Sequence, residues 1–246
     1  MDKSLFIAVS GVNRVMRAQQ VHANNLANLN TRGFRKDFVH SMAVPLQGDG
    51  HPSRAMTKAT GTSSAMGVGP AIHTGRNLDI AISGEGWISV IDDNGEEAYT
   101  RAGHLRLDDE GQLVTGTGRP VASLGGAIEI PQYRHIEIGG DGTINIVPVG
   151  GITVQPVAVG QIKLVNPDPR EIIKGPDGLF RRIDGEEADQ DAGVQVKPGH
   201  LEASNVNAVE EMVQFMNLAR QFEFQFKVMK TAETLAASGD KLIRTE

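Results

Sequence analysis

The chain has 246 residues, 39% hydrophobic and 4% aromatic, with 29 glycines, no cysteine and a formal net charge of -6. That is enough apolar material for one large domain or two small ones, and the glycine content leans towards β-structure with tight turns. The acidic balance argues against nucleic acid as the main partner, and the lack of thiols excludes a disulfide framework and a thiolate metal site.

The opening, MDKSLFIAVSGV, has only a short apolar run, Asp2 offsets Lys3, and polar NRVMRAQQ follows without a small-residue cleavage site. No cleaved signal peptide is expected from this pattern, and no stretch approaches the length that spans a bilayer. From Ser4 to about Asn28 apolar residues recur at helical spacing: Leu5, Ala8, Val12, Val15, Leu26 and Leu29, with Val9, Met16 and Ala23 beside them. Arg14, Arg17 and Gln20 lie off this stripe, while Gln19 and His22 interrupt it. Residues 1–36 carry six Lys and Arg against one Asp, so this first segment is basic in an acidic chain.

Asn24, Asn25, Asn28 and Asn30 crowd the end of the helix. Asn24 and Asn28 are four apart and share a face, and each amide can both donate and accept. Two readings are open: a polar register device between identical helices, or fraying of an exposed end. Gly33 suits the left-handed conformation that ends a helix, Phe34 an anchor packing back, and Arg32, Arg35 and Lys36 the negative helix end. Residues 37–77 are rich in Gly, Pro, Ser and Thr and read as an extended connector.

Over 78–200 the period changes to two. LDIAIS alternates Leu78, Ile80 and Ile82, WISVI continues the pattern, and DDNG predicts a hairpin turn at Asn94-Gly95. HLRLDDEGQLV predicts a second hairpin turning at Asp108 to Gly111. Further strands fit AIEIP, HIEIGGDGTINIV, ITVQPVAVGQIKLV and GLFRRID, giving an antiparallel β-domain.

The last segment, 201–246, has the strongest periodicity. Asn207 can cap a helix, Glu210 can answer it, and Glu211 suits the positive helix end. An apolar face runs from Val209 through Phe215, Phe222 and Phe226 to Ala236, wider than one partner helix needs, with weakening expected at Ala237 to Gly239. As one helix, residues 207–238 span about 48 Å at 1.5 Å per residue, against a diameter of about 46 Å for a compact chain of this size. The terminal helices are therefore expected to pair as a coiled-coil-like stalk apart from the middle. The chain reads as α+β: axial helix and turn at 1–36, connector at 37–77, central all-β, mainly antiparallel domain at 78–200, and axial helix at 201–246. A monomer would expose much of the apolar face, which predicts association.

Candidate chemistry is thin. The seven histidines, at 22, 40, 51, 73, 104, 135 and 200, form no His-x-x-x-His pair. SGEGW lacks the glycine register of a phosphate loop, and Ser83 lacks the preceding glycine of a nucleophile elbow. The acidic run Asp184 to Asp191 lacks the alternating order of a calcium loop and reads as a solvated loop. Asp108, Asp109 and Glu110 are adjacent in a turn and cannot flank a glycan at the required separation.

ANNLANLNTRGFRK resembles the N-terminal signature of the bacterial flagellar axial proteins of rod and hook. LEASNVNAVEEMVQFMNLARQFEFQFKVMKTAETL resembles their C-terminal signature, and LDIAISGEGWISV, AYTRAGHLRLDDEGQLVTGTGRPV and GDGTI resemble their shared β-domain. The aromatic ARQFEFQFKVM and the compact spacing suit a proximal rod member better than a distal one; the hook member is expected to be longer. The resemblance implies a structural, non-enzymatic subunit of the proximal rod, with no cofactor, that polymerises into part of the drive shaft. Its implied partners are other rod proteins, copies of itself and, in transit, the flagellar type III export apparatus, without nucleic acid or stable membrane insertion. It implies residence in the periplasmic rod, reached without a cleaved signal. The expected assembly residues are Asn24, Asn25, Leu26, Ala27, Asn28, Gly33 and Phe34, with Ser204, Asn205, Val206, Phe215, Phe222 and Phe226. The rivals are a distal rod protein of the same family, a periplasmic cell-wall hydrolase, and a membrane-surface adaptor using the basic first helix.

Overall fold

A computed structural model describes residues 2–45, 55–149 and 155–243. The start of the strand expected from Ile152 and the side chains of Leu5 and Ala236 lie outside the described residues. The chain forms two compact units: a terminal unit of residues 1–28, 36–65 and 206–246, and a β-unit of residues 29–35 and 66–205.

The terminal unit contains helix α1 (Asp2–Ala27), strands β1 (Asp37–Pro45) and β2 (Ala55–Ser64), and helix α2 (Ala208–Ile243). The helices run antiparallel: His22 meets Glu211 near one end, and Gly11 faces Gln225 further along. A Cβ at Gly11 would lie 3.0 Å from the Gln225 amide, so the bare backbone there lets the helices approach. The inner stripe of α2 follows Glu211, Leu218, Phe222, Gln225, Met229 and Ala232, a near-heptad spacing, and Leu218 and Glu211 are its buried members. On α1 the buried members are Val15 and Asn25.

Three details differ from the sequence-based expectations. Residues 37–64, expected within an extended connector, hold the antiparallel hairpin β1–β2, with a bulge between His40 and Ser41. Both strands are largely exposed on both faces, so they carry no alternating apolar pattern to read. Helix α2 continues through Ala237 to Gly239 instead of weakening; one glycine costs only about 1 kcal/mol relative to alanine, and the surrounding helix formers absorb it. Helix α1 ends at Ala27, before Gly33. The Asn28 side chain donates to the Asn24 carbonyl at 2.9 Å, and such local amide bonds compete with the helical ladder. At the other end Asn207 caps as read, its side-chain oxygen accepting the Val209 and Glu210 N–H groups at 3.0 and 3.2 Å, while the Glu210 carboxylate lies 3.6 Å from Lys36 Nζ.

Among its described residues the β-unit holds sixteen short strands: β3 (Ala71–His73), β4 (Ile80–Ser83), β5 (Trp87–Ile91), β6 (Glu97–Thr100), β7 (Leu105–Leu107), β8 (Leu113–Thr115), β9 (Ala122–Ser123), β10 (Gly126–Ala127), β11 (Tyr133–Ile138), β12 (Thr143–Pro148), β13 (Val157–Gln161), β14 (Leu164–Val165), β15 (Ile172–Lys174), β16 (Phe180–Arg182), β17 (Gln195–Pro198) and β18 (His200–Glu202). All pairings between these strands are antiparallel. The largest sheet has the order β14-β5-β6-β16-β15, and β3 and β4 pair with the late strands β18 and β17. The core is mostly Ile, Leu and Val from β4 through β14, with a smaller aromatic cluster in which Trp87 lies 4.4 Å from Phe180.

Aspartates shape the expected hairpin turns. Asp92 accepts the Asn94 and Glu96 N–H groups at 2.9 Å each, and Asp108 accepts those of Glu110 and Gln112 at 3.1 and 2.7 Å. Gly95 and Gly111 occupy the left-handed position in the respective turns, each with φ 84°. Arg181 then bridges Asp92 and Asp177, at 2.7 Å to each. This hydrogen bond from Arg181, opposed by burial and aided by the turn N–H groups, holds the Asp92 carboxyl at about 2.

Candidate assembly surface

The residues singled out in the sequence fall into two groups. Asn24 is exposed and Asn28 half-buried, and the Asn28 amide donates to the Asn24 side-chain oxygen at 2.9 Å. Asn25, between them, is fully buried. Its amide nitrogen donates to the Asp37 carbonyl at 2.9 Å and to Glu211 Oε2 at 3.1 Å, and its oxygen accepts the Asp37 N–H at 2.9 Å. Asn25 therefore ties α1 to the start of β1 and to α2 inside the terminal unit. Glu211, 3% exposed, also accepts His22 Nδ1–H at 2.6 Å. Rather than only complementing the helix end, Glu211 sits in the apolar stripe, and that position in the heptad was the available sequence signal.

Leu26 is half-buried and Ala27 exposed. Phe222 lies half-buried on the inner stripe of α2, whereas Phe215 and Phe226 are exposed. Seen down the helix, Met212, Phe215 and Phe226 flank the stripe on one side, and Phe224, Val228 and Leu235 on the other; all six are exposed. Phe6, Val9 and Met16 are exposed on α1. The terminal unit thus presents large apolar side chains on both flanks of the stripe, against the usual fate of such residues.

The second group, apart from Val206, belongs to the β-unit. Gly33 has φ 67°, and a Cβ there would fall 2.3 Å from the Arg101 carbonyl carbon, so close backbone approach demands glycine. Phe34 is half-buried beneath the Lys174 ammonium, which stands 3.8 Å from the ring centroid. Ser204 is buried, and the Asn205 amide donates to the Gly67 carbonyl at 2.8 Å. Val206 begins the C-terminal part of the terminal unit and is buried.

Sequence reading assigned Arg35 to the helix end with Arg32 and Lys36. In the fold Arg35 is fully inaccessible and pairs with Glu202, which also receives Arg101 Nη1 at 3.0 Å and the Gly69 N–H at 2.9 Å. Burial draws the Arg101 pKa down, and Glu202 opposes that. The two guanidinium carbons lie 5.8 and 5.3 Å from the Trp87 ring, which supplies a second favourable surface for the cations. Glu202 lies inside the quoted LEASNV motif, but its arginine partners are 167 and 101 residues away, beyond any spacing rule.

The candidate chemical groups serve structure. Asp184 is engaged by Arg182 at 2.5 Å, Glu187 by Lys163 at 3.4 Å, and Asp191 accepts the Gly193 N–H at 2.8 Å. Pairing of β3 with β18 brings His73 and His200 to 4.8 Å, a pair that sequence spacing did not show. Among the described residues no group of three or more His, Asp or Glu side chains could hold a metal ion, and no helix is long and apolar enough to cross a membrane.

The chain thus places an antiparallel β-unit between two terminal helices, with a helical signature at each end. The chain matches the family described as flagella basal body rod protein over residues 5–35, the flagellar hook protein FlgE/F/G D1 domain over 81–146, and the flagellar basal body rod FlgEFG protein C-terminal region over 197–242. It is 35% identical to the flagellar basal-body rod protein FlgF of Escherichia coli (strain K12) and 34% identical to that of Salmonella typhimurium (strain LT2), each over 99% of both chains. The flagellar basal-body rod protein FlgG of Bacillus subtilis (strain 168) is 33% identical over 96% of this chain and 97% of its own length. The chain belongs to the flagellar basal-body rod protein family, whose role is structural. The two FlgF relatives are matched over slightly more of the chain than the FlgG relative, and both branches align over nearly its whole length.

Proposed function

We propose that the chain is a proximal-rod subunit of the FlgF type, which polymerises through its terminal unit into part of the shaft that transmits motor torque. The observation that carries this reading is the pair of exposed apolar flanks on α2, around Phe215 and Phe226 on one side and Phe224 and Val228 on the other. Identical subunits around an axis can cover both flanks, whereas a single additional helix covers one. In this reading α1 and α2 form a coiled-coil-like stalk. Asn24 and Asn28 supply polar register on the exposed side of α1, with Leu26, Ala27 and Phe222 at the margins of the contact.

Partners are copies of the chain and other rod proteins, in the periplasm. Delivery is as an unfolded chain through the flagellar type III export apparatus, without a cleaved signal. A distal-rod role is the second reading, favoured by the nearly full-length match to FlgG. Site-specific crosslinking from positions 24 and 226 in intact basal bodies tests the proposal. Adducts with copies of this chain and with rod proteins are expected; adducts confined to non-flagellar proteins would overturn it.

A further inference from the structure

The chain passes between the units at 28/29, 35/36, 65/66 and 205/206. Residues 29–35 therefore belong to the β-unit although the chain on both sides of them belongs to the terminal unit. Their attachments converge on one residue and its surroundings. The Gly33 N–H donates to the Glu202 carbonyl at 2.9 Å, and the Arg35 guanidinium donates to the Glu202 carboxylate. The Asn205 N–H donates to the Phe34 carbonyl at 3.3 Å, and Lys174 donates to the Arg35 carbonyl at 2.9 Å. Just past the third crossing, the Gly69 N–H donates to the same Glu202 carboxylate.

Arg35 and Glu202 are 0% and 1% exposed. Pulling Glu202 away leaves two buried guanidiniums without their carboxylate, and pulling Arg35 away breaks a buried charge-assisted hydrogen bond, so this attachment resists local opening more than its short length suggests. The bonds that close the terminal unit are of another kind. Asn25 and His22 hold Glu211, and the stripe around Leu218 has exposed apolar flanks. Local opening follows the least costly boundary, and few buried contacts mark the segment that opens first.

We propose that residues 29–35 are an anchor that stays on the β-unit when the terminal unit opens, with Glu202 as the positioning residue that stops the opening at Asn28 on one side and at Lys36 on the other. Arg35 and Gly69, both held by Glu202, keep residues 36–68 as a closed loop in the opened chain. That prior closure removes part of the entropic cost of forming the β1–β2 hairpin again. The motif TRGFR then has a role in the single subunit, apart from any contact it makes in an assembly.

Hydrogen exchange on the dilute, full-length, unassembled chain tests this. The Gly33, Gly69 and Asn205 amides are expected to exchange with the β-unit core amides of Leu113 and Val121, at least about tenfold more slowly than those of Asp37, Ala65 and Glu211. Exchange of Gly33 and Asn205 at the rate of Asp37 would overturn the proposal without any mutation. Arg35→Met keeps the bonds of Glu202 to Arg101 and Gly69 and fills much of the vacated volume. It is expected to speed Gly33 and Asn205 at least about tenfold while Leu113 is unchanged; unchanged protection at Gly33 would again overturn the anchor. Because no assembly is involved, failure here leaves the rod assignment standing.

Discussion

Glu202 and Glu211 are close in sequence, lie in different units, and are both nearly inaccessible, at 1% and 3% exposure. Each gathers partners from distant parts of the chain, but the partners differ in kind. Glu202 is held between two arginines, which cannot give up their charge, and a backbone N–H. Glu211 is held by an asparagine amide and a histidine whose side chain is 24% exposed. The same contrast runs through the apolar residues: the β-unit buries its Ile, Leu and Val, while α2 leaves Phe224 and Phe226 at 68% and 54% exposure. One unit encloses its large apolar side chains, and the other leaves many of them in solvent.

The sharpest way to break this contrast is Glu202→Ala. It leaves Arg35 and Arg101 buried without their carboxylate, and removal of one partner from a buried pair costs about 3–5 kcal/mol. Trp87 is the only tryptophan and lies in the β-unit, so its fluorescence reports that unit, whereas the helical far-UV signal comes from α1 and α2. The fluorescence midpoint in urea should fall markedly. An unchanged midpoint would show that the buried cluster around Glu202 does not hold the β-unit together.

Next comes Leu218→Ala. Leu218 is a buried member of the α2 stripe at 9% exposure, and the cavity it leaves should cost about 2 kcal/mol, the lower end for Leu→Ala because the site is open on its flanks. The loss should appear in the helical signal and leave the Trp87 transition in place. Coincident shifts in both signals would mean that the units unfold as one, against the division drawn here.

These contrasts were only partly legible in the sequence. The Asn207 cap and the turns at Asp92 to Gly95 and Asp108 to Gly111 follow from local chemistry, since donors and acceptors lie within four residues. The β1–β2 hairpin was not legible because none of its side chains is fully buried, and pattern reading needs one face to be buried. Asn24, Asn25 and Asn28 look alike in sequence, yet only Asn25 is internal, because Asp37 and Glu211 reach it from other elements. Likewise nothing local separates Arg35 from Arg32 and Lys36; the distinction is a carboxylate 167 residues away. The apolar period of α2 showed a wide face, but which phenylalanines turn inward depends on where α1 lies.

A smaller effect concerns acid. Asp92 has a folded-state pKa of about 2, against an ordinary value of 3.8, chiefly because Arg181 donates to it. A carboxyl depressed by folding contributes stability that is fully present above its unfolded pKa and lost as pH falls through the folded one. The β-unit should therefore lose stability between about pH 4 and pH 2. Asp92→Asn should flatten that limb, followed by Trp87 fluorescence at fixed urea. An acid limb equally steep in the variant would place the sensitivity elsewhere, with Asp177, whose pKa Arg181 also lowers, as the next residue to replace.

The smallest effect on the monomer is the most informative about assembly. Phe226 is 54% exposed, so Phe226→Ser removes little that is buried and should change the helical unfolding midpoint by no more than about 0.5 kcal/mol. Phe222→Ser, on the inner stripe one turn earlier, should destabilise the isolated terminal unit measurably, because that side chain is half-buried. In basal bodies the order should reverse in meaning: Phe226→Ser keeps a well-folded subunit yet lowers its incorporation, scored by the amount recovered with purified rods. Normal incorporation of Phe226→Ser together with Phe215→Ser would leave that flank of α2 without a role in the shaft and move the contact to the flank of Phe224 and Val228. A loss of incorporation without loss of monomer stability would show that the exposed face is a contact surface held in reserve.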